Sequence, residues 1–96
     1  MARTNKIGTH CTTVSTADGR TTVTYHETDV VTFDDLTVKL DNGGWPTSTT
    51  KLRMNQASIE LGLGFWVYQY KKQWFVDTPT QEAVPFDPQG RIQFNR

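Results

Sequence analysis

The stretch Gly43–Leu63, GGWPTSTTKLRMNQASIELGL, constrains the fold more than any other, because it alone has the residue order of a helix. Pro46 suits a helix start, where its missing N–H would have no partner anyway. Thr47, Ser48 and Thr49 each offer a hydroxyl to the first free N–H groups. No Glu or Gln stands three residues after any of them, so the capping residue stays open. From Thr50 onward, Lys51, Leu52, Arg53, Met54, Gln56, Ala57, Glu60 and Leu61 are good helix formers. Gly62 can supply the left-handed stop, with Leu63 folding back as the accompanying apolar contact. The expected helix spans about Ser48–Leu61.

This helix has two apolar sides. At about 100° per residue, Met54, Ala57 and Leu61 fall together, while Leu52 and Ile59 lie nearly opposite. Only one side can lie on a sheet. The other is expected to meet a loop, a terminal segment or a second chain, which makes a homo-oligomer through that side one of the partner expectations.

The charges run against the helix dipole. Lys51 and Arg53 sit in the first turns and Glu60 in the last, although a helix N-terminus favours acids. Each such exposed charge costs about 0.3–1 kcal/mol. A local rule broken without visible compensation marks a candidate site. Free N–H groups, hydroxyls and two cations are expected to cradle an anion, with Ser48, Thr49, Thr50, Lys51 and Arg53 holding it and Asn55 and Gln56 reading polar edges. The plain alternative is that Asp41 or another acid neutralises Lys51 or Arg53.

A chain of 96 residues makes one domain, and residues 1–8 read as a loose terminus. The formal net charge is zero, so no overall field drives it onto nucleic acid or an anionic membrane. Charge is uneven, however. Between Lys39 and Trp74, the bases Lys39, Lys51, Arg53, Lys71 and Lys72 outnumber the acids Asp41 and Glu60. Cys11 is the only cysteine, which excludes an intrachain disulfide and suits a reducing compartment. No apolar run reaches spanning length, and the first residues lack the apolar core of a signal peptide. The expectation is a cytoplasmic protein with no membrane partner and no cofactor.

Before the helix, Thr9–Thr16 and Arg20–Thr28 are threonine-rich runs split by Ala17-Asp18-Gly19, a hairpin signal. Val30–Phe33 reads as a third strand and Leu36–Leu40 as a fourth. After the helix, Phe65–Tyr70 and Trp74–Val76 flank the polar step Lys71-Lys72-Gln73 as an aromatic-rich hairpin. Pro79, Pro85 and Pro88 exclude a central strand, leaving Val84–Phe86 as a short edge piece and Arg91–Phe94 as the last strand. The predicted fold is α+β: an antiparallel sheet of two hairpin groups against one helix, in the order ββββ-α-ββ-β.

Four constellations bear on chemistry. Cys11 falls near His26 in a plain hairpin register, with His10 and Glu27 alongside, but strand neighbours point to opposite faces and cannot share a metal easily. Gly43–Lys51 lacks both the glycine before the lysine and the hydroxyl residue after it that a phosphate loop needs. No nucleophile–base arrangement suggests catalysis. Gly62, Gly64, Phe65 and Tyr68 match part of an RNA-recognition strand, and Trp66, Tyr68 and Tyr70 share one side of a strand ending in Lys71 and Lys72. That row could stack bases. The favoured expectation is that it is instead the floor beneath the helix.

At Gly43-Gly44-Trp45, Thr49-Thr50-Lys51, Arg53-Met54-Asn55-Gln56, Val67-Tyr68-Gln69 and Trp74-Phe75-Val76, the chain resembles a family of small proteins of tailed bacteriophages. The resemblance runs from about Val30 to Phe86 and leaves out the N-terminal hairpin. It implies a phage origin and a host-cytoplasm setting, and no activity. The leading functional expectation is an accessory protein binding nucleic acid or a nucleotide phosphate at the helix N-terminus. The alternatives are a host-takeover protein that binds and inhibits a bacterial protein, and an oligomeric structural component.

Overall fold

The computed structural model describes residues 12–44 and 47–96. In chain order these form β1 (Thr12–Ala17), β2 (Arg20–Tyr25), β3 (Thr28–Phe33), β4 (Thr37–Asp41), α1 (Ser48–Leu61), β5 (Trp66–Tyr70), β6 (Gln73–Asp77), β7 (Val84–Pro85) and β8 (Arg91–Asn95). The fold is α+β, and the two hairpin groups form separate antiparallel sheets. One has the order β1-β2-β3-β4-β8 and the other β5-β6-β7. The last strand therefore returns past the second sheet to pair with β4. The expected loose terminus, along with His10, Cys11 and Pro46, lies outside the described residues.

The turns follow from their residues. Asp18 and Gly19 take φ values of +55° and +76°, the mirror-image turn that matches strand twist, and set the pair Ala17–Arg20. The Asp34 carboxylate accepts from the N–H groups of Leu36 and Thr37, both at 2.8 Å. These bonds hold its carboxyl below the ordinary value of 3.8. Leu36 belongs to this turn and is 74% exposed, so β4 starts one residue later than the apolar alternation suggests.

Thr47 is the N-cap. Its hydroxyl accepts from Thr50 N–H at 3.2 Å. Gly62 ends the helix at φ +66°, and Leu63 is buried beside that turn. Met54 and Ala57 are fully buried between Val23, Val31, Val38 and Leu40 of the large sheet and Val67 and Val76 of the small one. The rings of Phe65 and Phe94 meet edge to face at 5.8 Å, joining the two sheets directly. Leu52 and Ile59 are 51% and 70% exposed, so nothing among the described residues covers the second apolar side of α1.

Candidate interaction surface

The buried side of α1 carries three polar residues, Thr50, Asn55 and Ser58. Two of them explain how the small sheet is held. Asn55 Nδ2 donates to the carbonyl of Val67 at 2.8 Å, and its Oδ1 accepts from Val67 N–H at 2.7 Å. Ser58 Oγ donates to the carbonyl of Phe65 at 2.6 Å and accepts from Phe65 N–H at 2.9 Å. Residues three apart on the helix thus satisfy residues two apart on the chain leading into β5. They replace the neighbouring strand that this edge lacks. A buried backbone group without a partner costs about 1–3 kcal/mol, so the clasp fixes which edge of β5 meets the helix.

The clasp also fixes the faces. Phe65 and Val67 turn inward and are buried, as are Trp74 and Val76 on β6. Trp66, Tyr68 and Tyr70 therefore point away from α1. The floor beneath the helix is the Phe65–Val67 side, and the aromatic row expected to be that floor is the outer face. Trp66 is 50% exposed and Tyr70 61% exposed. Between them the rings of Tyr68 and Phe75, partners across the β5–β6 ladder, stack at 5.7 Å. Burial, the hydrogen-bonded carboxylate of Asp77 and the charge of Glu82 together push the Tyr68 phenol up.

The face is bounded by charges of opposite sign. At one end the turn residues Lys71 and Lys72 both adopt positive φ, +50° and +67°, and the Lys71 ammonium lies 5.4 Å from the centre of the Tyr70 ring. At the other end, Asp77 pairs with Trp66 in register. Two exposed aromatics around a stacked pair, rimmed by lysines and acids, form an apolar surface with polar edges. Such composition is typical of sites that bind partners.

The residues expected to cradle an anion do not converge. Ser48 is exposed and Thr49 half-buried, while Thr50 is buried with its hydroxyl 3.0 Å from that of Thr47. Lys51 and Arg53, two residues apart, leave the helix about 200° apart and grip opposite sheets. Lys51 donates to Gln69 Oε1 at 3.1 Å and lies 5.7 Å from the Trp74 ring. Arg53 donates to Thr12 Oγ1 at 3.2 Å and to Gln56 Oε1 at 3.1 Å, and stacks 5.5 Å from the Tyr25 ring. Neutral acceptors and rings thus hold both cations. Asp41, the acid suggested as their partner, meets Arg91 at 3.6 Å instead. Asn55 is buried with its amide engaged by Val67, so it is not free to read a ligand, and Gln56 accepts from Arg53.

A cleft of about 390 Å³ opens beside the helix N-terminus, lined by Tyr25, His26, Glu27, Asn42, Thr47 and Thr50 among others. Among the described residues that line it, Glu27 is the one carboxylate, and it opposes an anion there. Thr12 pairs with Tyr25, the register that would set Cys11 against His26, but Cys11 lies outside the described residues. Among the described residues no three His, Cys, Asp or Glu side chains are grouped to hold a metal. No helix there is long and apolar enough to cross a membrane.

A family model described as Kyanoviridae Gp96 protein matches residues 1–93. The chain belongs to this phage protein family. The match takes in the β1–β2 hairpin, which the resemblance read from the sequence left out. No curated protein and no solved structure matches the chain.

Sequence reasoning named Trp66, Tyr68 and Tyr70 but did not anticipate Phe75 as the fourth ring. The ladder pair Tyr68–Phe75 is legible once β5 and β6 are joined by the two-residue turn at Lys71-Lys72. Asn55 and Ser58 stand three apart beside the apolar Met54 and Ala57, and that spacing is the signal that could have identified the clasp.

Proposed function

We propose that this phage protein acts by binding a protein of its bacterial host through the outer face of β5 and β6. Trp66 and Tyr70 are the anchors, and Lys71, Lys72, Asp77 and Glu82 form the rim. The observation that carries the reading is the exposure of Trp66 and Tyr70 on a hairpin clasped from behind by the helix. Aromatic side chains of this kind dominate the energetics of protein interfaces, because they bring large contact area with few rotatable bonds. A rim of both signs, on a chain of zero net charge, favours a protein over a polyanion.

A second reading rests on one feature of the same face. Trp66, Tyr68 and Tyr70 repeat every second residue, about 6.7 Å apart along the strand. With Lys71 and Lys72 beside them they could stack successive bases of a single strand. The acids at the Trp66 end and the lack of convergence of Lys51 with Arg53 weigh against it.

One experiment separates the two. The full-length chain and the variant Trp66→Ala/Tyr70→Ala are used to capture partners from nuclease-treated host lysate, and each captured protein is purified and titrated against both. The expected result is a protein that binds the parent saturably and the double variant at least about 100-fold more weakly, a ratio that two anchors of about 1.4 kcal/mol each already give. Equal binding of both forms removes the aromatic-face reading. Saturable binding of single-stranded oligonucleotides with a steep salt dependence establishes the second reading in its place.

A further inference from the structure

Sheet edges expose unpaired backbone groups, and proteins commonly protect them with charge, proline, shortness or a covering element. Three of the four edges described here follow that rule. β5 is covered by the Asn55 and Ser58 clasp. β7 has two residues, one of them Pro85. β8 begins at the charged Arg91 and is followed by Arg96. β1 is the exception. Its residues Thr12–Ala17, TTVSTA, contain neither a charge nor a proline. From Thr13 to Ala17 every side chain is exposed, with Val14 at 39%.

The direction of its open groups follows from the hairpin. Ala17 and Arg20 flank the two-residue turn and form the hydrogen-bonded pair next to it. Pairs then alternate along an antiparallel ladder. Thr16–Thr21 and Val14–Val23 are therefore pairs whose N–H and C=O groups face away from each other. The close approach of the Thr16 and Thr21 hydroxyls, 3.0 Å, agrees with this assignment. On β1 the N–H and C=O of Val14 and Thr16 thus point out of the sheet edge.

We propose that the chain pairs with a second copy of itself along this edge, β1 antiparallel to β1 of the other copy about a two-fold axis at Ser15. Val14 of each copy then exchanges both backbone hydrogen bonds with Thr16 of the other, and Ser15 faces Ser15. The half-exposed Val14 side chains become covered on the same side of the joined sheet as Val23. The same register sets the Asp18 turn of each copy toward the Thr12 end of the other. There Arg53, whose contacts among the described residues are the neutral groups of Thr12, Gln56 and Tyr25, receives an acid. Zero net charge leaves no overall repulsion between copies. The occupant of the edge is a second copy because the outward groups of Val14 and Thr16 pair symmetrically about Ser15 and the same register sets Asp18 of one copy beside Arg53 of the other. The contact lies on the large sheet, away from the second apolar side of α1, and leaves the aromatic face of the small sheet open.

The test is sedimentation velocity on the full-length chain across a concentration series, with Thr16→Pro, Thr16→Lys and Asp18→Asn. Thr16→Pro removes an N–H that faces away from β2, at an edge position where proline is tolerated. Thr16→Lys keeps the backbone and adds an edge charge. Circular dichroism establishes that each variant is folded. The expected result is a reversible monomer–dimer equilibrium in the parent, weakened at least about tenfold by either Thr16 variant and about threefold by Asp18→Asn. Amide exchange at Val14 and Thr16 slows as concentration rises. A monomer at every concentration overturns the proposal, and so does a dimer of parental strength in both folded Thr16 variants.

Discussion

Replacing Asn55 by alanine removes a single side chain that satisfies two buried backbone groups. Val67 N–H and Val67 C=O, bonded at 2.7 and 2.8 Å, both lose their partner at the edge of β5. Each unsatisfied buried group costs about 1–3 kcal/mol, so the substitution is predicted to destabilise the fold by about 2–6 kcal/mol. Domains of this size have about 5–15 kcal/mol in total, so the variant stands near its unfolding limit. In thermal unfolding, the lower bound alone corresponds to a fall of about 8–16 °C. Urea titration followed by far-ultraviolet circular dichroism and tryptophan fluorescence measures the loss, and native-state amide exchange at Val67 locates it. A change under about 0.5 kcal/mol, or an unaltered Val67 exchange rate, refutes the reasoning. Asn55→Asp provides the sign test. Its carboxylate accepts from Val67 N–H but opposes Val67 C=O, whereas the protonated acid donates to that carbonyl. The folded pKa is then raised above the unfolded value of about 3.9. Unlike an ordinary salt-bridged carboxylate, this variant gains relative stability as pH falls.

Three further outcomes follow from local geometry. Lys71→Asn with Lys72→Gly, which suits two positive-φ positions, is expected to raise stability by about 1–2 kcal/mol in urea titration while removing two rim charges. Gly90→Ala is expected to destabilise by more than about 2 kcal/mol, because φ is +82° and an added Cβ would overlap the buried Asn42 amide; thermal unfolding reads this. Asp34 has a folded pKa below its unfolded one, held there by Leu36 and Thr37 N–H. Its contribution is therefore present above the unfolded value and lost as pH falls through the folded value. Amide exchange at Leu36 and Thr37 should rise, beyond the intrinsic pH trend, in that acid window and be pH-insensitive in Asp34→Asn.

Much of the fold is legible in the chain because its signals are local. Asp18-Gly19, Gly62 and the alternation of Val38 and Leu40 each specify a turn, a stop or a strand from their own chemistry. What the sequence does not reveal is non-local. Trp66, Tyr68 and Tyr70 on one side and Phe65 and Val67 on the other are both apolar, so periodicity cannot choose the inward face. The choice is made by Asn55 and Ser58, which belong to another element and bind the backbone of β5's edge. The same limit applies to Lys51 and Arg53. Read along the sequence they crowd one helix end, but the angle between them sends one to Gln69 and Trp74 and the other to Thr12 and Tyr25. The reversed helix charge is thus offset by rings and neutral oxygens from two sheets.

Site-specific photocross-linking in phage-infected cells tests most directly whether the outer face of β5 and β6 is the working surface. A photoreactive phenylalanine analogue is placed singly at Trp66, at Tyr70 and, as a comparison on the exposed helix side, at Leu52. The predicted result is the same discrete protein adduct from positions 66 and 70 and none from position 52. An adduct from position 52 with none from 66 or 70 would contradict it.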